Sequence, residues 1–505
     1  LIKVATAIPA RPLPACNDVP FTRLGLDVMA TSGNALSAIN HIVVVMLENR
    51  SFDHMLGFLY ADAGNVSPAG QAYEGLTGKE SNPDANGKPV RVFKIPGGTS
   101  RTYFMPGADP GEGYTATNSQ LFGSNAAPTP PTANNQGFVN NFAYTLSWQT
   151  SSKGYSILPG TTAADIMGMH TPQTLPVLSA LARGFAVCDH WYGAAPTETL
   201  PNRAFVHAAT SQGHMDDKTK TFTAPSIYCL LSKHGVSWKI YGYDAEPLTR
   251  QSFTDITNLP DSYFGQFKDF QSDAASGSLP CYAFLEPSWG SKGNSQHPNY
   301  DVALGEQFLH DIYYALRNSP LWKQTLLIVT YDEHGGCYDH VSPPTNAVPP
   351  DNSTGEYGFD FRRFGPRVPT LLVSPLIAPG TVVRAAGPTP FDHTSILKTV
   401  QLRWGLPALT ARDAAAPDVG AALSLRTPRS DDPLSGVVPP QSKGANPSTG
   451  KPSHLQQVYA ELVGHLPMPD PAPGAKPGIA KLETADDYDR YIRARLAGWK
   501  ARRKR

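Results

Sequence analysis

Three short runs place apolar, mostly β-branched or leucine side chains at consecutive positions: "HIVVVML" (41–47), "TLLIVTY" (325–331) and "VPTLLVS" (368–374). A strand covered on both faces loses the in–out alternation of a half-exposed one, so these runs predict buried strands of a mostly parallel sheet. Between them, apolar residues recur at three and four in "TLPVLSALARGF" (174–185) and "VALGEQFLHDIYYALRNS" (302–319), the spacing of one helix face. Strand and helix patterns in alternation predict an α/β fold, a doubly wound sheet with helices on both faces. From about Ala408 to Lys481 the texture turns to Pro, Ala, Gly and Ser, broken by one helical stretch, "HLQQVYAELVGHL". That predicts a Pro/Gly-rich C-terminal extension wrapping the core. The last segment, "ADDYDRYIRARLAGWKARRKR", is acidic early and basic late, which suits a helix dipole and predicts a solvated, fraying terminal helix.

Two of the strand runs stop abruptly on polar residues. The first gives way to Glu48, Asn49, Arg50, Ser51, Phe52, Asp53 and His54, the second to Asp332, Glu333 and His334, then Gly335, Gly336, Asp339 and His340. Open parallel sheets bind ligands beyond the carboxyl ends of their strands. Adjacent carboxylates repel unless a cation or proton lies between them, so two strand ends delivering oxygen ligands predict one divalent metal. Oxygen-rich ligation favours calcium or magnesium and leaves zinc open. The competing reading makes these residues helix caps and surface ion pairs.

A third element, "APTETLPNRAFVHAATSQG" (195–213), sets Thr199 where an N-cap belongs and Pro201 in the first turn. A hydroxyl there lies beside unsatisfied N–H groups and the positive helix end, a place that favours an alkoxide and a phosphate. Asn202 and Arg203 can donate to a phosphoryl oxygen. Thr197 and Thr210 are rival hydroxyls that spacing does not exclude. "YAFLEPSWGSKGNSQHPNYD" adds Glu286, His297 and Asp301 on a long loop, and "FDHTSILKTVQLRWGL" adds His393 ahead of a helix.

Composition narrows the partners. Lys plus Arg and Asp plus Glu both total 42, so no field exists to attract nucleic acid, and no obligate protein partner is evident. The five cysteines form no C-x-x-C pair. No run approaches the roughly 20 apolar residues a bilayer span needs. The chain starts at Leu1 without a Met, which fits a removed leader and a periplasmic or secreted protein.

Together, "ENRSFDHMLG", "DPGEGYTATNSQLFG", "TLPNR", "EPSW" with "HPNYD", "YDEHGGCYDHV" and "FGPRVPTLLVSP" resemble the phosphoesterase family that contains bacterial and plant non-specific phospholipase C and a group of bacterial acid phosphatases. The resemblance implies an alkaline phosphatase-like fold and a metal-dependent site. It implies an N-terminal extension over 1–40, a catalytic phosphoesterase domain over 41–407 and a C-terminal extension over 408–505. Carried over residue by residue, Glu48, Asn49, Asp332 and Glu333 match the family's metal ligands and Thr199 its nucleophile. His297 and His334 match histidines near the scissile phosphate. A phosphothreonine intermediate follows from that match. The segment "DPGEGY" departs from the pattern, with Glu112 where many relatives have a histidine.

The leading expectation is a phospholipase C that cleaves glycerophospholipids to diacylglycerol and a phosphorylated head group. The runner-up is a broad acid phosphatase acting on small phosphate esters, and a binding protein on a dead scaffold is a distant third. A lipid enzyme needs an apolar rim and peripheral membrane contact, for which Phe52, Phe58, Tyr60, Trp148 and Trp191 are candidates. On the phospholipase reading, Glu112 stands near the head group and attracts its cation.

Overall fold

The computed structural model describes residues 35–151, 156–218, 220–290, 292–446, 449–467 and 482–503. Residues 1–34 of the expected N-terminal extension and 468–481 of the C-terminal one lie outside the described residues.

Eight strands form the central sheet: β1 His41–Leu47, β2 Ala186–Val187, β3 Trp238–Gly242, β4 Phe264–Gln266, β5 Tyr282–Leu285, β6 Thr325–Tyr331, β7 Leu371–Val373 and β8 Thr381–Val382. Their spatial order is β8-β2-β7-β6-β1-β5-β3-β4. β1 pairs in parallel with β5 and β6, β5 with β3, β3 with β4, and β2 with β8. β1 and β6 are buried along their lengths apart from His41, as their unbroken apolar runs predict.

β7 departs from expectation. Only Leu371–Val373 of "VPTLLVS" is strand, and it runs antiparallel to both β6 and β2. A run buried on both faces carries no directional signal, so the sequence could not reveal this reversal. Because β7 is reversed, its entry, with Arg367, lies at the edge where β1 and β6 end.

The helices that matter below are α1 Phe52–Leu56, α2 Tyr114–Phe122, α3 Phe138–Ser151, α4 Pro176–Gly184, α5 Thr199–Ala208, α6 Val302–Arg317, α7 Thr394–Trp404, α8 His454–Gly464 and α9 Ala485–Arg503. The terminal helix is not the solvated, fraying one expected. Tyr488, Ile492, Leu496 and Trp499 of α9 form an apolar stripe that joins the main core together with Leu455, Val458, Tyr459 and Leu462 of α8. The C-terminal extension is therefore built into the same core. No helix among the described residues is long and apolar enough to cross a membrane.

Candidate active site

Register brings the two polar strand ends together. Leu47 pairs with Tyr331 at the last rung of β1 and β6, so Glu48 and Asp332 leave the sheet side by side. The Asn49 N–H donates to Asp332 Oδ1 at 2.9 Å, and Asn49 itself takes a left-handed φ of 55°. A non-glycine residue in that region is uncommon and is held only where the surroundings over-determine it. Gly335 also has a positive φ, and a Cβ there would stand 1.9 Å from the Asn49 carbonyl oxygen, so glycine lets the two loops approach. Arg50 is fully buried and donates to the carbonyls of Gln296 (2.6 Å), Met105 (2.7 Å) and His297 (3.2 Å). It thereby ties the His297 loop to the end of β1.

Thr199 opens α5, but the capping position belongs to Glu198, one residue earlier. The Thr199 hydroxyl donates to Asn49 Oδ1 at 3.3 Å, which joins the helix start to the strand end. Its rivals are engaged elsewhere: Thr197 donates to the Met215 carbonyl, and Thr210 accepts from the Gln212 N–H at 2.9 Å. Asp217 locks the helix start, accepting from Leu200 N–H at 2.8 Å and donating its own N–H to Glu198 Oε2 at 2.7 Å. Burial and the nearby Asp217 charge push the Glu198 carboxyl up to about 7.

The surroundings of Thr199 are rich in buried acids. Glu48, Asp332 and Glu333 are at most 2% exposed. Arg203 answers Asp332 alone, at 2.9 Å, while the strand-end N–H groups of Asn49 and Glu333 occupy its other oxygen. Glu48 Oε2 and Glu333 Oε1 are out of contact with solvent and accept no hydrogen bond. Burial lifts both carboxyls above the ordinary range, and the Asp332 charge adds to the lift. Orphaned buried carboxylate oxygens are costly, and a cation answers them, so the residues fit the expected divalent ion. Their donor atoms are not all within 4.8 Å of one another, so holding one shared ion would require the three carboxylates to move closer together.

Two other sets do lie within 4.8 Å: Asp109, Glu112 and His297, and Asp53, Asp339 and His340. The first borders a cavity of about 1110 Å³ whose lining also includes Glu198, Tyr144, Trp148, Lys451 and His454. Thr199, Glu48, Asp332 and Glu333 are not among its lining residues, but Glu198, which is, directly precedes Thr199. Glu112 lines the cavity and also accepts from the Asn49 amide, which puts it one residue from the nucleophile candidate.

Several expected site residues have other work. Asn202 is fully buried, with its side chain bonded to the backbone of Ala195, Thr197 and Glu198, so it staples the turn and is not a phosphate donor. Arg203 is held by Asp332 and the Met46 and Leu47 carbonyls and lies 4.7 Å over the Trp289 ring, with Nη1 left unpaired. Asp301 caps α6 through Ala303 N–H, and Glu286 receives the Leu248 and Thr249 N–H groups. His393 contacts the Asp332 carbonyl from behind. His334 has both ring nitrogens committed, to Glu333 Oε2 (3.1 Å) and Gln120 Oε1 (2.7 Å), and burial lowers it to about 3. It orients Glu333 and is not placed to move a proton to substrate. Of the rim aromatics, Phe52, Phe58, Tyr60 and Trp191 are core. Only Trp148 reaches the cavity mouth, joined by Tyr144 one turn earlier on α3, at 45% and 70% exposure.

Sequence reasoning passed over Asp109, Glu198, Asp217 and His454. The first two sit inside quoted motifs, where a carboxylate beside a candidate residue was the signal. His454 had none: it meets Asp217 at 2.8 Å across 237 positions. Burial works against its charge, but the hydrogen bond and charge of Asp217 lift it to about 10.

The profile of the Phosphoesterase family matches residues 39–407. Non-specific phospholipase C1 of Arabidopsis thaliana is 36% identical over 485 residues, covering 90% of this chain and 84% of the relative. Non-specific phospholipase C6 of the same plant is 37% identical, covering 79% and 75%. Phospholipase C A of Mycobacterium tuberculosis is 29% identical, covering 80% and 82%. Among solved structures, a protein in the alkaline phosphatase superfamily from Vibrio parahaemolyticus is 16% identical over 48% of this chain and 64% of its own, with a TM-score of 0.30. So distant a likeness adds nothing to the sheet already described. With the profile spanning most of the chain and the two plant relatives covering 90% and 79% of it, the chain belongs to the phosphoesterase family and is a hydrolase of phosphoric esters.

Proposed function

We propose that the chain is a phospholipase C-type phosphodiesterase in which Thr199 is the nucleophile. The observation that carries this reading is the Thr199–Asn49 hydrogen bond, which sets a helix-start hydroxyl against a strand end crowded with buried carboxylates. Glu48, Asn49, Asp332 and Glu333 would hold one divalent ion. When bound, that ion supplies charge neutralisation that favours the Thr199 alkoxide and a phosphoryl oxygen. Thr199, having lost its proton to solvent, attacks phosphorus in line; the P–O bond to the alcohol breaks as the phosphothreonine forms, and water then attacks phosphorus, releasing the phosphorylated head group and returning a proton to the Thr199 oxygen. Glu198 lines the cavity beside Thr199, and its carboxyl near 7 supports the reading that it gives the departing oxygen its proton.

The cavity lining favours a diester over a monoester. Asp109, Glu112, Glu198 and Glu483 line it together with Lys451 and His454, so carboxyls outnumber cations and a dianionic monoester meets more repulsion than a singly charged diester. Tyr144 and Trp148 give the mouth an aromatic edge suited to a lipid, and the names of the plant and mycobacterial relatives agree with that substrate.

The test compares initial rates on phosphatidylcholine vesicles and on a simple phosphomonoester. Vesicle hydrolysis should dominate, and a faster monoester rate would transfer the assignment to an acid phosphatase. Thr199→Ala should remove turnover while costing about 1 kcal/mol of stability, the worth of the lost Thr199–Asn49 hydrogen bond. Retained activity there, with Thr197→Ala inactive, would move the nucleophile. Glu198→Gln should lower kcat by roughly 10²–10⁴. In the parent enzyme, a general acid near 7 makes the rate fall as pH rises through that value. That limb should vanish in Glu198→Gln.

A further inference from the structure

Asp109, Glu112 and His297 bring two carboxylate oxygens and an imidazole nitrogen within 4.8 Å of one another on the cavity wall. The outer contacts of this set are those of metal ligands. His297 is 4% exposed, and its Nδ1 donates to the Pro298 carbonyl at 2.8 Å. A carbonyl only accepts, so Nδ1 carries the proton and Nε2 is left to face Asp109 Oδ1 at 3.9 Å. A ligating histidine is characteristically fixed this way through its other nitrogen. Glu112 is oriented in turn by the Asn49 amide. Asp109 Oδ1 is out of contact with solvent and has no hydrogen-bond partner. Among the described residues, neither carboxylate is paired with a Lys or Arg within 4.0 Å; the charged His454 imidazolium shares the cavity lining and acts on both carboxylates, but its own hydrogen bond goes to Asp217, so the set holds three electron-pair donors with no cation bonded between them.

We propose that Asp109, Glu112 and His297 form a second divalent-cation site, separate from the one assigned to Glu48, Asn49, Asp332 and Glu333, that takes a nitrogen-tolerant ion such as zinc. A nitrogen in the donor set selects against calcium and magnesium, which the oxygen-only site prefers. Three protein ligands beside a cavity leave a fourth position open for water or a phosphoryl oxygen. Tetrahedral ligands about 2.0–2.2 Å from zinc sit roughly 3.3 Å apart, so binding needs His297 and Asp109 to close by about half an ångström. The site depends on Glu112, a carboxylate at a position where a histidine would give a different donor set.

The inference does not rest on the reaction proposed above, and its readout is occupancy. The full chain, stripped by chelation and dialysed, is titrated with zinc alone, and bound metal is counted by elemental analysis. Cobalt substitution then reports the nitrogen ligand through its visible spectrum. Glu112→Gln and Asp109→Asn, checked for folding by circular dichroism, should each weaken zinc binding at this site by 100-fold or more. His297→Asn should abolish the cobalt band. Glu48→Gln should retain both the zinc and the band. Unchanged zinc affinity in folded Glu112→Gln and Asp109→Asn would overturn the site, as would zinc that disappears only with Glu48→Gln. An inactive chain that still binds zinc through this set would refute the reaction and leave the site standing.

Discussion

Two sets of two carboxylates and a histidine lie near the same sheet edge, with the same donor chemistry at similar spacing, and they differ in what stands between them. In the first, Arg367 is fully buried between Asp53 (2.8 Å) and Asp339 (2.9 Å), and its remaining donors reach the carbonyls of Glu74 and Asp189. Asp53 also takes the backbone and ring N–H groups of His340, each at 2.7 Å. Burial works against the Asp53 charge, yet Arg367 and His340 hold its carboxyl below the ordinary range. In the second set no guanidinium enters, and burial together with the Asp109 and Glu333 charges holds Glu112 well above that range. The first set braces the loops after β1 and β6 against the entry to β7. In the second, the nearest positive charge is the His454 imidazolium, which is bonded to Asp217 and not to either carboxylate, so the two sets differ in whether the chain's own cation is seated between the acids.

The strongest way to break this contrast is to remove the internal cation from the first set. Arg367→Met should destabilise the chain by about 3–5 kcal/mol, because two buried carboxylates lose their partner at once. Urea unfolding followed by circular dichroism measures it. A loss below about 1 kcal/mol would mean that the brace is not carried by the guanidinium.

A smaller effect sharpens the same point through pH. His340 faces Asp53, Glu74 and Arg367, and although burial and Arg367 oppose its charge, Asp53 lifts it to about 9. The folded value lies above the unfolded one of about 6.5, so its stabilisation is full below pH 6.5 and fades as pH rises through 9. His340→Gln should cost on the order of 2–3 kcal/mol at pH 6, and the gap to the parent should largely close by pH 9.5. A gap independent of pH would make His340 a packing residue.

The sheet was legible where both faces are covered, since β1 and β6 fall on the predicted runs. The helices of the middle region were legible from their three–four spacing, as α6 illustrates. Direction was not legible, and β7 turned out reversed. At the site, the strand-end acids and Thr199 could be singled out because chemistry and motif coincide there, and the fold brings Asp332, Asn49 and Thr199 into contact. What sequence could not sort is which polar residue after a strand serves a ligand and which serves the fold. Asp53 and Asp109 read alike until Arg367, 314 positions from Asp53, is seen to reach one of them. Asn202 and Asp301 were misjudged for the same reason, because each satisfies backbone N–H or C=O groups that only the folded loops bring near.

The smallest predicted effect is the most discriminating, because its sign differs between the two sets. In the chelated chain, Glu112 is a carboxylate beside Asp109 with no cation between them, so its charge opposes folding. Glutamine keeps a carbonyl oxygen to accept from the Asn49 amide and removes that charge. Glu112→Gln should therefore leave the chelated chain unchanged or more stable, by at most about 1 kcal/mol. With zinc present the order should reverse, since an ion bound at 100 times its Kd stabilises the parent by about 2.7 kcal/mol and the variant loses that gain. Parallel urea curves with chelator and with zinc read both signs from the same two proteins. If Glu112→Gln lost more than about 1 kcal/mol under chelation, Glu112 would be a structural acceptor like the carboxylates around Arg367, and the distinction between the two sets would collapse.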